Sequence, residues 1–166
     1  MKIFTIFNKT DEINSLLKTY FSSKSIGVNN NLIIFTDSEE RYRDIKQNFS
    51  VKNVIFMENL ESPLDQLESL DLKENESFIY IKSGLEMSSS PFRYLKSALS
   101  YADFVFCGEK DSFDCFAGNY IQEVRESIED RLKEEEIKKK LQEKESSAFT
   151  LPSSFLIYDD IVDFKN

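Results

Sequence analysis

Five short runs of consecutive apolar residues stand out in the first 110 positions of the chain. Each run is rich in β-branched and aromatic residues and is apolar at neighbouring positions, so each predicts a strand that is covered on both faces. The runs begin about 22 to 29 residues apart, which leaves room for a crossover helix between successive strands. They are residues 3–7, 32–35, 54–57, 78–81 and 104–107.

Amphipathic stripes between these runs predict the helices, because their apolar residues recur at helical spacing. Asp37 with Glu40 resembles a capping box at the start of one helix. Together, strands and stripes predict a three-layer α/β fold, in which a mostly parallel sheet of about five to seven strands lies between helices. The stripes are Ile13, Leu16, Leu17, Tyr20 and Phe21; Tyr42, Ile45 and Phe49; Leu64, Leu67 and Leu70; and Phe92, Leu95 and Leu99.

The pattern changes after the fifth run. Residues 113–121 predict a further strand, in which Gly118 admits the close approach of another group. Residues 122–145 are mostly charged, with acid-before-base pairs four positions apart, and predict a long solvated helix. A loop over 146–153 and a late strand over 155–158 would follow. We therefore divide the chain into an α/β core (1–121), a long charged helix (122–146) and a tail that returns to the core (147–166).

Charge and composition narrow the range of partners. The 166 residues include 30 Asp and Glu against 21 Lys and Arg, a formal net charge of −9. Such a charge repels nucleic acid and anionic membrane surfaces, while it permits a basic protein partner, for which helix 122–146 is the candidate surface. Many acidic proteins have no charged partner at all. No apolar stretch approaches the length of a membrane span, the two cysteines suit a reducing compartment, and we expect a cytoplasmic protein.

The residue types exclude several common chemistries. The chain has no histidine, so Ser-His-Asp catalysis and the usual histidine–zinc sites are excluded. No two glycines are close enough to form a phosphate-binding glycine loop. Cys115 has no accompanying base and fits a small buried residue better than a nucleophile.

Ligands of open α/β sheets bind beyond the carboxyl ends of the strands, which directs attention to four residues. Asn8 follows the first predicted strand, Asp37 the second, and Lys82 and Ser83 the fourth. Two of them have simpler interpretations. Asp37 is also a natural helix cap, and Lys82 is also a typical surface lysine with a solvated head group.

The order of these segments resembles the nucleotide-diphospho-sugar-binding fold of GT-A glycosyltransferases. Residues 2–8 are similar to its first strand, residues 31–37 to its second strand with a terminal Asp near the nucleotide base, and residues 115–121 to the strand on the acceptor side. Residues 78–86 occupy the place of the strand that leads to the family's metal-binding D-x-D. The resemblance implies a nucleotide-sugar ligand and the following substrate-binding residues: Asn8, Asp37, Lys82, Ser83 and Gly118.

The D-x-D motif itself is missing, because Lys82 and Gly84 stand at its two positions. A lysine can meet a diphosphate but cannot chelate a metal, so we predict no metal and no cofactor. The leading hypothesis is a glycosyltransferase-like domain that binds a nucleotide sugar without a divalent metal and is weak or inactive as a transferase. An active metal-independent glycosyltransferase is a second hypothesis. A third is a non-catalytic acidic interaction protein, phage-encoded or of immunity type, with a basic protein partner.

Overall fold

In a computed structural model, the described residues form seven strands, four α-helices and one 3₁₀ helix. The elements are β1 (Lys2–Phe7), α1 (Ile13–Ser25), β2 (Leu32–Thr36), α2 (Glu39–Asn48), β3 (Asn53–Phe56), the 3₁₀ helix (Pro63–Leu70), β4 (Ser77–Ile81), α3 (Ser89–Ala98), β5 (Phe104–Glu109), β6 (Ser112–Asn119), α4 (Gln122–Glu129) and β7 (Ala148–Leu151). The structure describes residues 1–8, 11–25, 32–48, 53–58, 60, 63–85, 89–100, 102–109, 112–129, 136, 139 and 148–151.

The seven strands form one mixed sheet in the order β3-β2-β1-β4-β6-β5-β7. Strands β1, β2, β3 and β4 are mutually parallel, β7 is parallel to β5, and β6 alone runs antiparallel to both of its neighbours. The predicted α/β fold with a mostly parallel sheet is confirmed. The reversed direction of β6 decides which of its residues reach each end of the sheet, since Ile81 pairs with Cys115 whereas Phe78 pairs with Gly118.

The two faces of the sheet bury different side chains. One face is mainly aliphatic and packs against buried residues of α1, α2 and α3: Leu16, Tyr20, Ile45, Phe92, Leu95 and Ala98. The other face is aromatic and packs against the 3₁₀ helix and against Val124 of α4. Phe116 lies in the middle of that face, with its ring centroid 5.0 Å from that of Tyr80 and 5.7 Å from that of Phe104. Burial on both faces explains why the strands are continuously apolar.

The third predicted helix is a 3₁₀ helix. Its buried leucines, Leu64, Leu67 and Leu70, recur at every third position, which matches the three residues per turn of a 3₁₀ helix. Pro63 is its first residue, a position that proline favours because its φ is already fixed at a helical value.

The start of α2 differs from its prediction in one residue. Ser38, not Asp37, is the cap: its Oγ accepts a hydrogen bond from the Arg41 N–H at 3.3 Å, and its carbonyl accepts the first helical bond from Tyr42. The capping interpretation of Asp37 is therefore wrong, because the helix begins one residue later than a cap at Asp37 requires.

The C-terminal part also differs. Strand β7, Ala148–Leu151, lies inside the segment that we predicted to be a loop, and it forms because its backbone pairs in parallel with β5. The late strand predicted over 155–158 lies outside the described residues. Of the long charged helix, the structure describes Gln122–Glu129 as helical, together with residues 136 and 139. No helix within the described part of the chain is long and apolar enough to cross a membrane.

Candidate functional site

Four of the five predicted site residues lie at one end of the sheet. Strands β2, β1 and β4 are neighbours and parallel, so Asp37, Asn8 and Lys82 follow their carboxyl ends side by side, with Ser83 next to Lys82. Adjacent strands are about 4.8 Å apart, so these three strand ends span about 10 Å. We call this region the carboxyl edge.

Lys82 forms an ion pair across the carboxyl edge with Asp114 near the start of β6. The Lys82 Nζ lies 3.9 Å from the Asp114 Oδ1, and the two side chains are 52% and 26% exposed. The backbones are held more tightly, because the Lys82 N–H donates to the Asp114 carbonyl at 2.8 Å. A half-exposed pair at this distance contributes little to stability, so the ammonium group can turn towards an incoming anion at small cost.

The turn after β4 is fixed to helix α1. The Gly84 N–H lies 3.0 Å from both the Ser15 carbonyl and the Thr19 Oγ1, and the Leu85 N–H donates to the Lys82 carbonyl at 3.1 Å. Gly84 has a φ of 91°, a conformation that glycine adopts without strain. The turn therefore presents Lys82 and Ser83 from a rigid base. The Ser83 Oγ is buried and has no hydrogen-bond partner among the described residues.

The segment after β1 is fixed as well. The Asn8 N–H donates to the Asp11 Oδ2 at 2.8 Å, and the Asp11 N–H donates back to the Asn8 carbonyl at 3.0 Å. This reciprocal pair closes a tight turn in which a side-chain carboxylate replaces a backbone acceptor. Asp37 is half-buried after β2 and directly precedes Ser38, whose hydroxyl caps α2.

The carboxyl edge also contains a cation that sequence reasoning missed. Arg41 lies in the first turn of α2; its Nη1 donates to the Asn8 carbonyl at 3.1 Å and its guanidinium carbon lies 4.4 Å from the centre of the Phe7 ring. The periodicity of apolar residues does not predict the position of Arg41, because Arg41 is not part of the buried stripe of its helix. A search for basic residues in the first turns of the crossover helices, which begin at the carboxyl edge, would have found it.

Gly118 does not join the other four residues. It pairs with Phe78 and Phe104, near the amino ends of β4 and β5, because β6 runs antiparallel to both. A Cβ on Gly118 would lie 2.7 Å from carbons of the Phe104 ring and 2.8 Å from the Phe78 Cζ. The close approach that we predicted at this glycine is made by two core rings, so we remove Gly118 from the candidate site.

A shallow depression of about 430 Å³ lies at the opposite, amino end of the sheet. Its lining residues are Met1, Glu76, Ser77, Lys96, Leu99 and Ser100. We place the candidate site at the carboxyl edge nonetheless, because ligands of open α/β sheets bind beyond the carboxyl ends of the strands. In addition, Ser77 at the depression already donates its hydroxyl to the Asn119 Oδ1 at 2.8 Å.

The described residues assemble neither a cluster of metal ligands nor a reactive thiol. In the part of the chain that the structure describes, no group of three or more Asp, Glu and Cys side chains could hold a metal ion. Burial raises the pKa of the Cys115 thiol, and the hydrogen bond between this thiol and Cys107 and the nearby charges of Cys107 and Asp114 raise it further. The thiol of Cys115 is therefore protonated at neutral pH and unsuited to nucleophilic attack.

Several solved structures resemble this chain over most of its length. A CMP:2-keto-3-deoxy-manno-octonic acid synthetase complexed with CTP matches with a TM-score of 0.63 at 11% identity, over 91% of this chain and 89% of that one. The 4-diphosphocytidyl-2C-methyl-D-erythritol synthase of Anaerococcus prevotii matches with a TM-score of 0.62 at 12% identity, over 99% and 94%. The Mycobacterium tuberculosis protein Rv0371c in complex with manganese matches with a TM-score of 0.59 at 11% identity, over 92% of this chain and 88% of that one.

These likenesses identify the fold. The chain has the nucleotide-diphospho-sugar transferase fold over nearly its whole length, as the resemblance in the sequence suggested at the level of the fold. No family model matches the sequence, and no curated protein matches it. Identities of 11% and 12% carry no information about which residues act.

Proposed function

We propose that this domain binds a nucleotide or a nucleotide sugar at the carboxyl edge without a divalent metal, and that it has little or no transferase activity. The observation that carries the proposal is the position of Lys82: a half-exposed lysine on a rigid turn after β4, held by one loose ion pair. A cation in this place can neutralise phosphate charge that a metal ion would otherwise neutralise.

The other residues of the edge complement Lys82. Asp37 offers an acceptor for the hydroxyl or amino groups of a nucleoside, and the buried Ser83 hydroxyl has hydrogen-bonding capacity that the described residues leave unused. The ligand class is supported by the fold, since one of the similar structures is a complex with CTP. Another is a complex with manganese, a metal for which the described residues of this chain offer no cluster of carboxylates.

We expect weak transferase activity because of the environment of Lys82. Phosphoryl and glycosyl transfer from a nucleotide need positive charge that is fixed where negative charge develops on the leaving group. Lys82 is half-exposed and shared with Asp114, so its charge is mobile and screened. Such a lysine supports binding better than it supports a transition state.

Isothermal titration calorimetry tests this proposal directly. We expect millimolar or tighter binding of at least one member of a panel of CTP and UDP-, GDP- and CDP-sugars, unchanged by a chelator, and a clear loss of affinity in Lys82→Ala. Lys96→Ala is the matched control, because Lys96 is an exposed lysine at the amino end of the sheet. Absence of binding across the panel at millimolar concentration would contradict the proposal, and binding that requires a divalent metal would contradict its metal-free part.

A further inference from the structure

Arg41 is held in place, but no carboxylate of the described residues forms an ion pair with it. The guanidinium donates one hydrogen bond, to the Asn8 carbonyl at 3.1 Å, and lies against the Phe7 ring at 4.4 Å. Both contacts are on or beside the last residue of β1, so they fix the side chain at the carboxyl edge. An arginine has five N–H donors, and the contacts within the described residues use one of them.

The lack of an ion pair is informative in this protein. Acidic residues outnumber basic ones by 30 to 21, and two other partly buried cations each have a carboxylate partner: Lys2 with Glu76 at 4.0 Å and Arg125 with Glu74 at 3.5 Å. The more exposed Lys82 also has one, Asp114 at 3.9 Å. Among the described residues, no carboxylate forms an ion pair with Arg41, although Asp11 and Asp37 belong to the same edge. A half-buried guanidinium that is held in place, and that has no counter-ion within the described part of the chain, can receive an anionic ligand.

We propose that Arg41 is a phosphate-binding residue of the carboxyl edge. The inference rests on the proposed function for the type of ligand, but it assigns a residue and a chemical group that the sequence did not indicate. A guanidinium matches two phosphate oxygens with two parallel N–H donors, and such charge-assisted bonds are stronger than those between neutral groups. The N-terminus of the ten-residue helix α2 lies beside Arg41 and adds a favourable dipole.

The acidic residues around Arg41 limit the class of phosphate ligand further. Glu39 and Glu40 are exposed in the first turn of α2, with Glu39 paired to Arg43 at 3.7 Å, and Asp37 lies just before them. These carboxylates repel a small free anion. The same repulsion acts on a phosphate that is carried on a larger ligand, but the hydroxyl groups of such a ligand can offset it by donating hydrogen bonds to Asp37. A nucleoside diphosphate meets both requirements.

Nuclear magnetic resonance of the whole chain tests the inference with two probes, CDP and inorganic pyrophosphate. We expect CDP to shift the Arg41 Nε–Hε resonance and the backbone amides of Asn8 and Ser38, and pyrophosphate to shift the same resonances more weakly. Arg41→Gln should lower the CDP affinity between about tenfold and about a hundredfold. Arg41→Lys retains the charge but loses the paired donors, so its affinity for CDP should be intermediate between those of Arg41→Gln and the wild type.

Arg43→Gln is the matched control, because it removes the same charge from an exposed position of the same helix and should change the affinity less than twofold. CDP binding with an unmoved Arg41 resonance would overturn this inference and leave the proposed function standing. Arg41 shifts on addition of pyrophosphate, with CDP binding no more tightly than pyrophosphate, would support the phosphate site and contradict nucleotide binding. No response to either probe at millimolar concentration would overturn both. These resonances are read in the wild type, so the test does not depend on the stability of the variants.

Discussion

The two ends of the sheet use their polar side chains differently. At the amino end, the Lys2 ammonium donates to the backbone carbonyls of Leu70 and Asp71, which close the 3₁₀ helix. Asn119 donates to the carbonyls of Leu99 and Ala102 after α3. These side chains satisfy backbone groups that helix ends leave unpaired, which is a structural role.

At the carboxyl edge, the polar side chains are only partly used. Lys82 has one long ion pair, Arg41 has one hydrogen bond and no ion pair within the described residues, and the Ser83 hydroxyl is buried without a described partner. Unsatisfied buried atoms as such do not distinguish the candidate site, because the Thr5 Oγ1, the Gln66 Oε1 and the Arg125 Nε also lack a partner among the described residues. The carboxyl edge differs from the amino end in its cations: Lys82 and Arg41 each make one polar contact through the side chain, whereas Lys2 makes two hydrogen bonds and an ion pair. Four substitutions or conditions can break or sharpen this contrast.

The largest effect is expected at Gly118, in the tightly packed amino half. Gly118→Val should lower the free energy of unfolding by about 3 kcal/mol, because its Cβ alone would lie 2.7 Å from the Phe104 ring and strands β4, β5 and β6 would have to move apart. Urea denaturation measures the change. If the variant were as stable as the wild type, packing against the rings of Phe78 and Phe104 would not be the reason why residue 118 is a glycine.

Asn119→Ala should cost about 2 kcal/mol of unfolding free energy. The substitution leaves the Ser77 hydroxyl and two carbonyls after α3 without their partner. Thermal denaturation checks this value, and calorimetry on the folded variant should find the nucleotide affinity unchanged. A stable variant with weakened nucleotide binding would contradict the division of roles between the two ends.

Stability should also fall in alkaline solution because of Cys115. Its pKa is raised in the folded protein, so above about pH 9 the unfolded chain releases a proton that the folded chain retains. The free energy of unfolding then decreases as the pH rises, by at most about 1.4 kcal/mol per pH unit for one thiol. Denaturation at pH 8 and pH 10 measures the decrease, and Cys115→Ala should reduce it. An identical decrease in the variant would assign the effect to other groups.

The smallest effect on stability is expected at Lys82. Lys82→Ala should change the free energy of unfolding by less than about 1 kcal/mol, because its ion pair is half-exposed. Lys2→Ala is the matched lysine at the other end and should cost more, since it removes hydrogen bonds to two helix-terminal carbonyls. Equal losses of unfolding free energy in Lys82→Ala and Lys2→Ala would contradict the energetic difference between the two ends of the sheet.

The sequence predicted the strands well for a clear physical reason. Residues such as Ile34 and Ile79 are apolar in continuous runs because both faces of the sheet are buried, and this signal is local. Strand β7, Ala148–Leu151, was missed because it is defined by its pairing with β5 and not by a continuous run of β-branched and aromatic residues. Pairing between distant segments leaves no mark in a local pattern.

The candidate site was predicted less completely for two reasons. Gly118 was assigned to the wrong end of the sheet because the direction of β6 is a property of the topology, which periodicity does not encode. Arg41 was missed because its position depends on where α2 begins and on the Phe7 ring at the end of β1. The positions of Asn8, Asp37 and Lys82 at the carboxyl edge could be predicted because each directly follows a strand that the sequence defines, and Ser83 is the next residue after Lys82.

One titration tests the central claim most directly: CTP added to isotopically labelled protein while the amide resonances are followed. We predict the largest shifts at the carboxyl edge, at Asn8, Asp37 and the turn from Lys82 to Gly84. Residues of the amino-end depression, such as Ser77 and Lys96, should not shift. Largest shifts at that depression, or no shifts at millimolar CTP, would contradict our assignment of ligand binding to the carboxyl edge.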